Sequence, residues 1–137
     1  MLYRLHTGWV EGYDEGQRPL LYLVTSCQDI AAAELDFVFS DGHGLAVYSA
    51  WFDSLDDLGQ VDWQMVGDRF WADDPKNDSD RQRRKQAEFL VHRFCPWRII
   101  RGIAVIDDEM KSRVEEILSR YPIELRKKVS VRRGWYY

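Results

Sequence analysis

The chain has 137 residues, 45% of them hydrophobic, and a formal net charge of −4. That length fits one domain with a sizeable core, and the acidic balance argues against a surface coated in positive charge for generic nucleic-acid binding. Cys27 and Cys95 lie far apart with no CxxC or Cys/His ligand spacing, which argues against structural zinc and for free thiols in a reducing compartment. No apolar run approaches a membrane span and no signal peptide opens the chain, so a cytoplasmic protein with no membrane partner is expected.

In chain order, Met1–Thr7 carries apolar Leu2 and Leu5 in a pattern that fits a short helix or a strand start. Gly8, Gly12 and Gly16 punctuate a loop. Pro19 sets the entry to Leu20–Val24, a nearly continuous apolar run that suits a strand buried on both faces. Thr25 or Ser26 is placed to cap a short helix over Gln28–Leu35, where three alanines favour helix. Phe37–Phe39 predicts a second strand, ended by Ser40-Asp41-Gly42-His43-Gly44. Two glycines around one histidine allow close backbone approach. From the residues alone, His43 reads as a surface histidine in a loop.

Val47, Trp51, Leu55 and Leu58 form a helical stripe through Leu45–Leu58; alternatively, Ser54 starts a fresh helix with Asp57 at its third position. Val61–Val66 predicts another short helix, capped by Asp62. Arg69–Asp80 ends polar and charge-dense and reads as a mobile loop. Its aspartates match no EF-hand spacing, so no metal is expected. Arg81–Lys85 continues as a charged, flexible run that could bind phosphate on a net-acidic protein. From Gln86 to Val91 polar and apolar residues alternate, which predicts a strand with Gln86 and Glu88 on one face. A carboxylate two residues after an amide on one face is a candidate catalytic pair. The plain alternative is an amphipathic edge strand whose Glu88 faces solvent.

Cys95-Pro96-Trp97 makes a turn, and Ile99–Ile106 predicts a strand split by Gly102. Asp107 or Asp108 caps a helix with Met110, Val114, Ile117, Leu118 and Tyr121 toward a core, stopped by Pro122. Val129 and Val131 alternate with Ser130 and Arg132 in a last half-buried strand, and Trp135–Tyr137 is expected to tuck against the core. No repeat, low-complexity tract or linker divides the sequence, so residues 1–137 read as a single domain.

The motifs MLYRLHTG, YDEGQRPLLYLV, FVFSDGHG, QVDW, WADDP, KQAEFLV and GWYY follow one another in this order. Together they resemble the DarT family of bacterial toxins, which ADP-ribosylate bases in single-stranded DNA using NAD. The resemblance runs from Met1 to Tyr137. It implies an α+β fold, an ADP-ribosyltransferase-like mixed β core with flanking short helices. It implies that Glu88, in KQAEFLV, is the catalytic glutamate, and that Gln86 sits where related enzymes orient the acceptor. His43 falls where the family carries a histidine near the DNA, and Arg69–Asp80 takes the place of a substrate loop. Arg81, Arg83 and Arg84 would then pair with DNA phosphates, and Trp71 would offer a stacking face for a base, with core packing as its plain alternative. NAD is implied as substrate, single-stranded DNA as target, and a macrodomain-type antitoxin as partner.

Family members carry, before MLY, a histidine-containing strand and an arginine that form much of the NAD pocket. This sequence begins inside the family's pattern, so the β core is expected to be incomplete at its N-terminus, as a C-terminal part of a larger toxin or a short natural relative. A missing central strand leaves unpaired edges that invite homo-oligomerisation or a complementing chain. Two functions follow as expectations. One is an NAD-dependent DNA ADP-ribosyltransferase, the toxin of a toxin–antitoxin system, with Glu88 catalytic. The other is a non-catalytic module, derived from such a toxin, that holds single-stranded DNA or a partner protein. A metal-dependent nuclease built on the aspartate loop is disfavoured, because no basic residue follows the acids at the usual strand spacing.

Overall fold

The computed structural model describes residues 5–137, so the start of MLYRLHTG, and with it most of the Met1–Thr7 reading, lies outside the described residues. The chain divides into two compact units, one of residues 1–25 with 96–137 and the other of residues 26–95.

The 26–95 unit opens with helix α1 (Cys27–Ala32), whose N-cap Ser26 accepts a hydrogen bond from the Asp29 backbone N–H. The unit's sheet has the order β3-β2-β4, with β2 at Phe37–Ser40, β3 at Trp51–Phe52 and β4 at Phe89–Val91. Both pairings are antiparallel, with Phe39 opposite Phe52 on one side and Phe89 on the other. Opposed residues share a face of the sheet, so these three rings stack together, with Phe37 joining through Phe89. Phe39 is almost fully buried, as is Ile30 on α1.

Between β3 and β4 lie a 3-10 helix (Leu55–Gln60), α2 (Trp63–Gly67) and α3 (Arg81–Lys85). Ser54 caps the first by accepting from the Asp56 N–H, and Asp62 caps the second by accepting from the Met65 N–H. The fresh start at Ser54 is therefore the form adopted, and the helical stripe from Leu45 is corrected. Leu45 and Val47 stand in a loop, 88% and 101% exposed. The strand expected from Gln86 begins at Phe89. Arg81–Lys85 is helical, and Gln86 closes that helix with its N–H on the Arg83 and Arg84 carbonyls, which keeps Gln86 out of the sheet.

In the other unit, β1 (Tyr22–Val24) pairs antiparallel with β5 (Gly102–Val105), and β5 pairs parallel with β6 (Lys128–Val131). A parallel pair needs a crossover, and α4 (Asp108–Ser119) supplies it. Asp107 is its N-cap, accepting from the Met110 N–H. Ile103, Val105, Met110, Val114 and Val129 form the core, with Trp97, Ile106, Leu118 and Val131 packed against it. Ile117 and Tyr121, expected to face the core, are exposed. Trp97–Ile99 is a 3-10 turn, so Gly102 begins the strand and does not split it. β1 is an edge strand, and Leu23, expected inside, is 52% exposed.

The chain end is held rather than buried. Tyr22 donates its hydroxyl to the Trp135 carbonyl at 2.7 Å, and Tyr136 donates to the Leu20 carbonyl at 3.0 Å. Burial beside Tyr22 pushes the Tyr136 hydroxyl up to about 12. Buried Gln17 grips the Tyr137 backbone through both ends of its amide, while Trp135 and Tyr137 keep about half their surface in solvent. Among the described residues no helix is long and apolar enough to cross a membrane.

Candidate active site

The strongest concentration of chemistry lies within the 26–95 unit, where the end of β2 meets the start of β4. Ser40, fully buried, occupies the last position of β2. Its backbone N–H donates to the Glu88 carbonyl at 2.9 Å, and its hydroxyl accepts from the Glu88 N–H at 3.2 Å. The hydroxyl's own proton goes to the Gly42 carbonyl. The β2–β4 ladder is thereby extended one step beyond the Phe39–Phe89 pair, with a side-chain oxygen where a sheet carbonyl would stand. Glu88 lies just outside the strand, yet its backbone is fixed on both sides.

The Glu88 side chain is 40% exposed and points along the edge of the Gly42–Gly44 turn. His43 Nδ1 lies 3.6 Å from its Oε1, and that nitrogen is buried without a hydrogen-bond partner. A Cβ on Gly44 would stand 3.0 Å from Glu88 Oε2 and 2.8 Å from the Trp51 ring. Only glycine leaves room there for the carboxylate and the indole together. Trp51 faces Ser40 in the β2–β3 register, so Trp51, Ser40 and Glu88 belong to one side of the sheet. The phenylalanine stack occupies the opposite side.

Arg83 ties this turn to α3. Its guanidinium donates to Asp41 Oδ1 at 2.8 Å, to both Asp80 carboxylate oxygens at 2.8 Å and to Ser49 Oγ at 3.2 Å, and lies over the Tyr48 ring. Its carbonyl accepts the His43 N–H at 2.8 Å. The Asp80 and Asp41 carboxylates hold the Arg83 guanidinium well above its ordinary range. Arg84 is clasped by Asp62 and Asp78, and Arg81 by Asp68 at 3.0 Å and Asp78 at 3.6 Å. The arginines named for DNA phosphates are thus engaged by carboxylates of their own chain. The same pairs consume acids of the Arg69–Asp80 segment. Asp73 accepts from the Gln82 N–H, and Asp74 accepts from the Asn77 amide and bridges to Asp78 through the backbone. Among the described residues no group of three His, Cys, Asp or Glu is gathered to hold a metal ion.

Lys85 and Trp71 form a separate structure. Buried Lys85 donates to the Met65, Val66 and Asp68 carbonyls, capping the C-terminus of α2, and its ammonium lies 5.0 Å from the centre of the Trp71 ring. Burial lowers the Lys85 pKa, with Asp68 opposing. The ammonium therefore covers part of the Trp71 face read from the sequence as a stacking surface. Gln86 turns its amide back to the Gln82 carbonyl at 2.9 Å. The structure therefore brings Glu88 and His43 together, keeps Arg83 beside them in a binding role toward its own loop, and leaves Trp71 and Gln86 in other contacts.

Sequence reasoning missed Ser40, Trp51 and the spatial role of Gly44. The signal for Ser40 was a polar residue closing an aromatic strand, and for Gly44 the paired glycines of SDGHG. Nothing local marks Trp51, whose position depends on the β2–β3 register.

The arrangement can present one carboxylate, on a rigid backbone, to a ligand entering past Gly44 and Trp51. The chain has relatives along its whole length. A family model described as "DarT: ssDNA thymidine ADP-ribosyltransferase, DarT" matches residues 1–137. DNA ADP-ribosyl transferases from Thermus sp. (strain 2.9), Thermus aquaticus and Escherichia coli O127:H6 are 40%, 41% and 30% identical over 137 residues. All of this chain is covered, but only 63%, 58% and 62% of those proteins, so it spans about three fifths of their length. The solved structure of Thermus sp. 2.9 DarT in complex with NAD+ superposes with a TM-score of 0.90 at 39% identity, covering 99% of this chain and 66% of that one. The structure of the same enzyme in complex with ADP-ribosylated ssDNA also gives 0.90, covering 99% and 63%. With a family match from first residue to last and a shared backbone, this chain belongs to the DarT family.

Proposed function

We propose that this protein carries the acid-bearing part of an NAD-dependent ADP-ribosyltransferase that modifies thymidine in single-stranded DNA, and that it acts as the toxin of a toxin–antitoxin pair. The observation that carries the reading is the placement of Glu88, whose backbone is locked to Ser40 and whose carboxylate is left open between His43, Gly44 and Trp51. Complexes of a relative with NAD+ and with ADP-ribosylated ssDNA support the choice of substrates.

NAD supplies the ADP-ribose, with nicotinamide as leaving group. Positive charge grows on the ribose as that bond breaks, and a fixed carboxylate stabilises this charge more than it stabilises the bound dinucleotide. Glu88 fills that role and also accepts the proton released by the attacking base. His43, its Nδ1 directed at Glu88, orients the carboxylate and contacts the DNA. Arg83 holds the turn that carries His43, with Arg81 and Arg84 shaping the bank along which the phosphates lie. A macrodomain-type antitoxin that removes the mark completes the proposed pair.

The test is incubation of the protein with NAD and a thymine-containing single-stranded oligonucleotide, read by mass spectrometry. A mass gain of one ADP-ribose on thymidine is expected. An unchanged oligonucleotide, or a label on duplex DNA or protein instead, contradicts the proposal.

A further inference from the structure

Beside the acid, apolar side chains stand exposed on a hydrogen-bonded loop. The segment after Gly44 carries Leu45 and Val47, 88% and 101% exposed, and leads to Trp51, 43% exposed. It is nevertheless cross-linked. The His43 carbonyl accepts from the Ala46 N–H and the Ser49 hydroxyl, and Asp41 and Ala50 exchange hydrogen bonds at 3.2 and 2.9 Å. Arg83 reaches both Asp41 and Ser49. An ordered loop that holds aliphatic side chains in water gains nothing from burial. Such a surface is suited to a partner that supplies the missing apolar contact.

We infer that Trp51, with Leu45 and Val47, is the nucleobase-contacting surface of this site, and that the Trp51 indole stacks on the base next to Glu88. This rests on the part of that reading that has the site hold single-stranded DNA. Three features favour nucleobases over the nicotinamide ring of NAD. Leu45 and Val47 follow Gly44 and are almost wholly exposed, so they offer apolar contact in addition to the indole. Trp51 sits on the same side of the sheet as Glu88, so a base stacked on the indole has an edge within reach of the carboxylate. Single-stranded DNA sites combine contacts to the backbone with stacking of the bases on exposed aromatic side chains. Trp71, the tryptophan that sequence suggested, has its ring partly covered by the Lys85 ammonium.

The experiment measures binding of a labelled oligothymidylate, without NAD, by fluorescence anisotropy at fixed salt. It compares the wild type with Trp51→Phe, Trp51→Leu and the double variant Leu45→Ser/Val47→Ser. Trp51→Leu keeps bulk but loses the flat face, and is expected to weaken binding roughly five- to hundredfold. Trp51→Phe keeps affinity within about twofold, since a π-face remains. The double variant falls between, and an oligonucleotide of abasic sites binds wild type and Trp51→Leu alike. Equal binding of oligothymidylate by wild type and Trp51→Leu overturns the inference, as does a wild type that does not bind it. A rise in the KM for NAD alone also overturns it, by assigning the ring to nicotinamide. Binding that depends on Trp51 without any ADP-ribosyl product would leave this inference standing and refute the enzymatic reading.

Discussion

Glu88 is held by the Ser40 hydroxyl and backbone N–H and accommodated by the missing methyl group of Gly44. Gly44→Ala would drive a Cβ to 2.8 Å from the Trp51 ring and 3.0 Å from the carboxylate, so one of them must swing away. The expected result is a kcat lowered roughly tenfold or more with little change in melting temperature, because the turn is at the surface and a displaced acid forfeits transition-state contact. Ser40→Ala acts from beneath. It strips the Glu88 N–H of its buried acceptor and should cost about 1–3 kcal/mol in urea unfolding, along with a loss of rate. If Ser40→Ala unfolds like wild type and reacts like wild type, the hydroxyl does not position the acid.

At the scale of elements, α3 is a five-residue helix with three arginines, each neutralised by aspartates from elsewhere in the same unit. The hydrogen bond from Arg84 holds the Asp78 carboxyl below the usual carboxylate range, and the Phe70 N–H does the same for Asp68. Both groups bind protons more weakly folded than unfolded. The stability they contribute is complete above an ordinary Asp pKa of roughly 3.9 and is lost as pH falls through the depressed values. Urea midpoints at pH 6 and pH 3 should therefore differ, and Asp78→Asn should shrink the difference. Identical acid sensitivity in wild type and Asp78→Asn would remove this network from the account.

Elements set by local chemistry were legible in the sequence. Ser26, Ser54, Asp62 and Asp107 cap the helices that follow them, because a cap needs only its own side chain and the next three residues. Elements set at a distance were not. Val47 keeps helical spacing with Trp51, yet Asp41, Ser49 and Arg83 hold that stretch as a loop, and Arg83 is more than thirty residues away in sequence. The alternation from Gln86 is real, but the C-terminus of α3 claims Gln86 and delays the strand to Phe89. Arg69–Asp80 and Arg81–Lys85 read as a mobile loop and a flexible basic run because the pairing of their acids and arginines appears only in three dimensions.

At the scale of the molecule, each unit has its own sheet and its own core. In the unit of residues 1–25 and 96–137, Val114 packs α4 on β5 and β6. Val114→Ala should cost roughly 2 kcal/mol in denaturant unfolding, from lost transfer energy and an unfilled cavity. A value near zero would mean that this side chain adds little to the core. The motif order from MLYRLHTG to GWYY carried the family and the α+β character, because that order reflects the whole backbone. The details of the site came from side chains that no motif pairs, namely Ser40 with Glu88 and Gly44 with Trp51.

The role of the Glu88 carboxylate is tested by single-turnover transfer of ADP-ribose from NAD to a thymine-containing oligonucleotide by Glu88→Gln beside the wild type. Glutamine keeps the size and the backbone bonds to Ser40 but removes the charge. If the charge carries the chemistry, Glu88→Gln retains oligonucleotide affinity while transfer slows roughly a hundredfold or more. Transfer by Glu88→Gln at the wild-type rate would contradict that role.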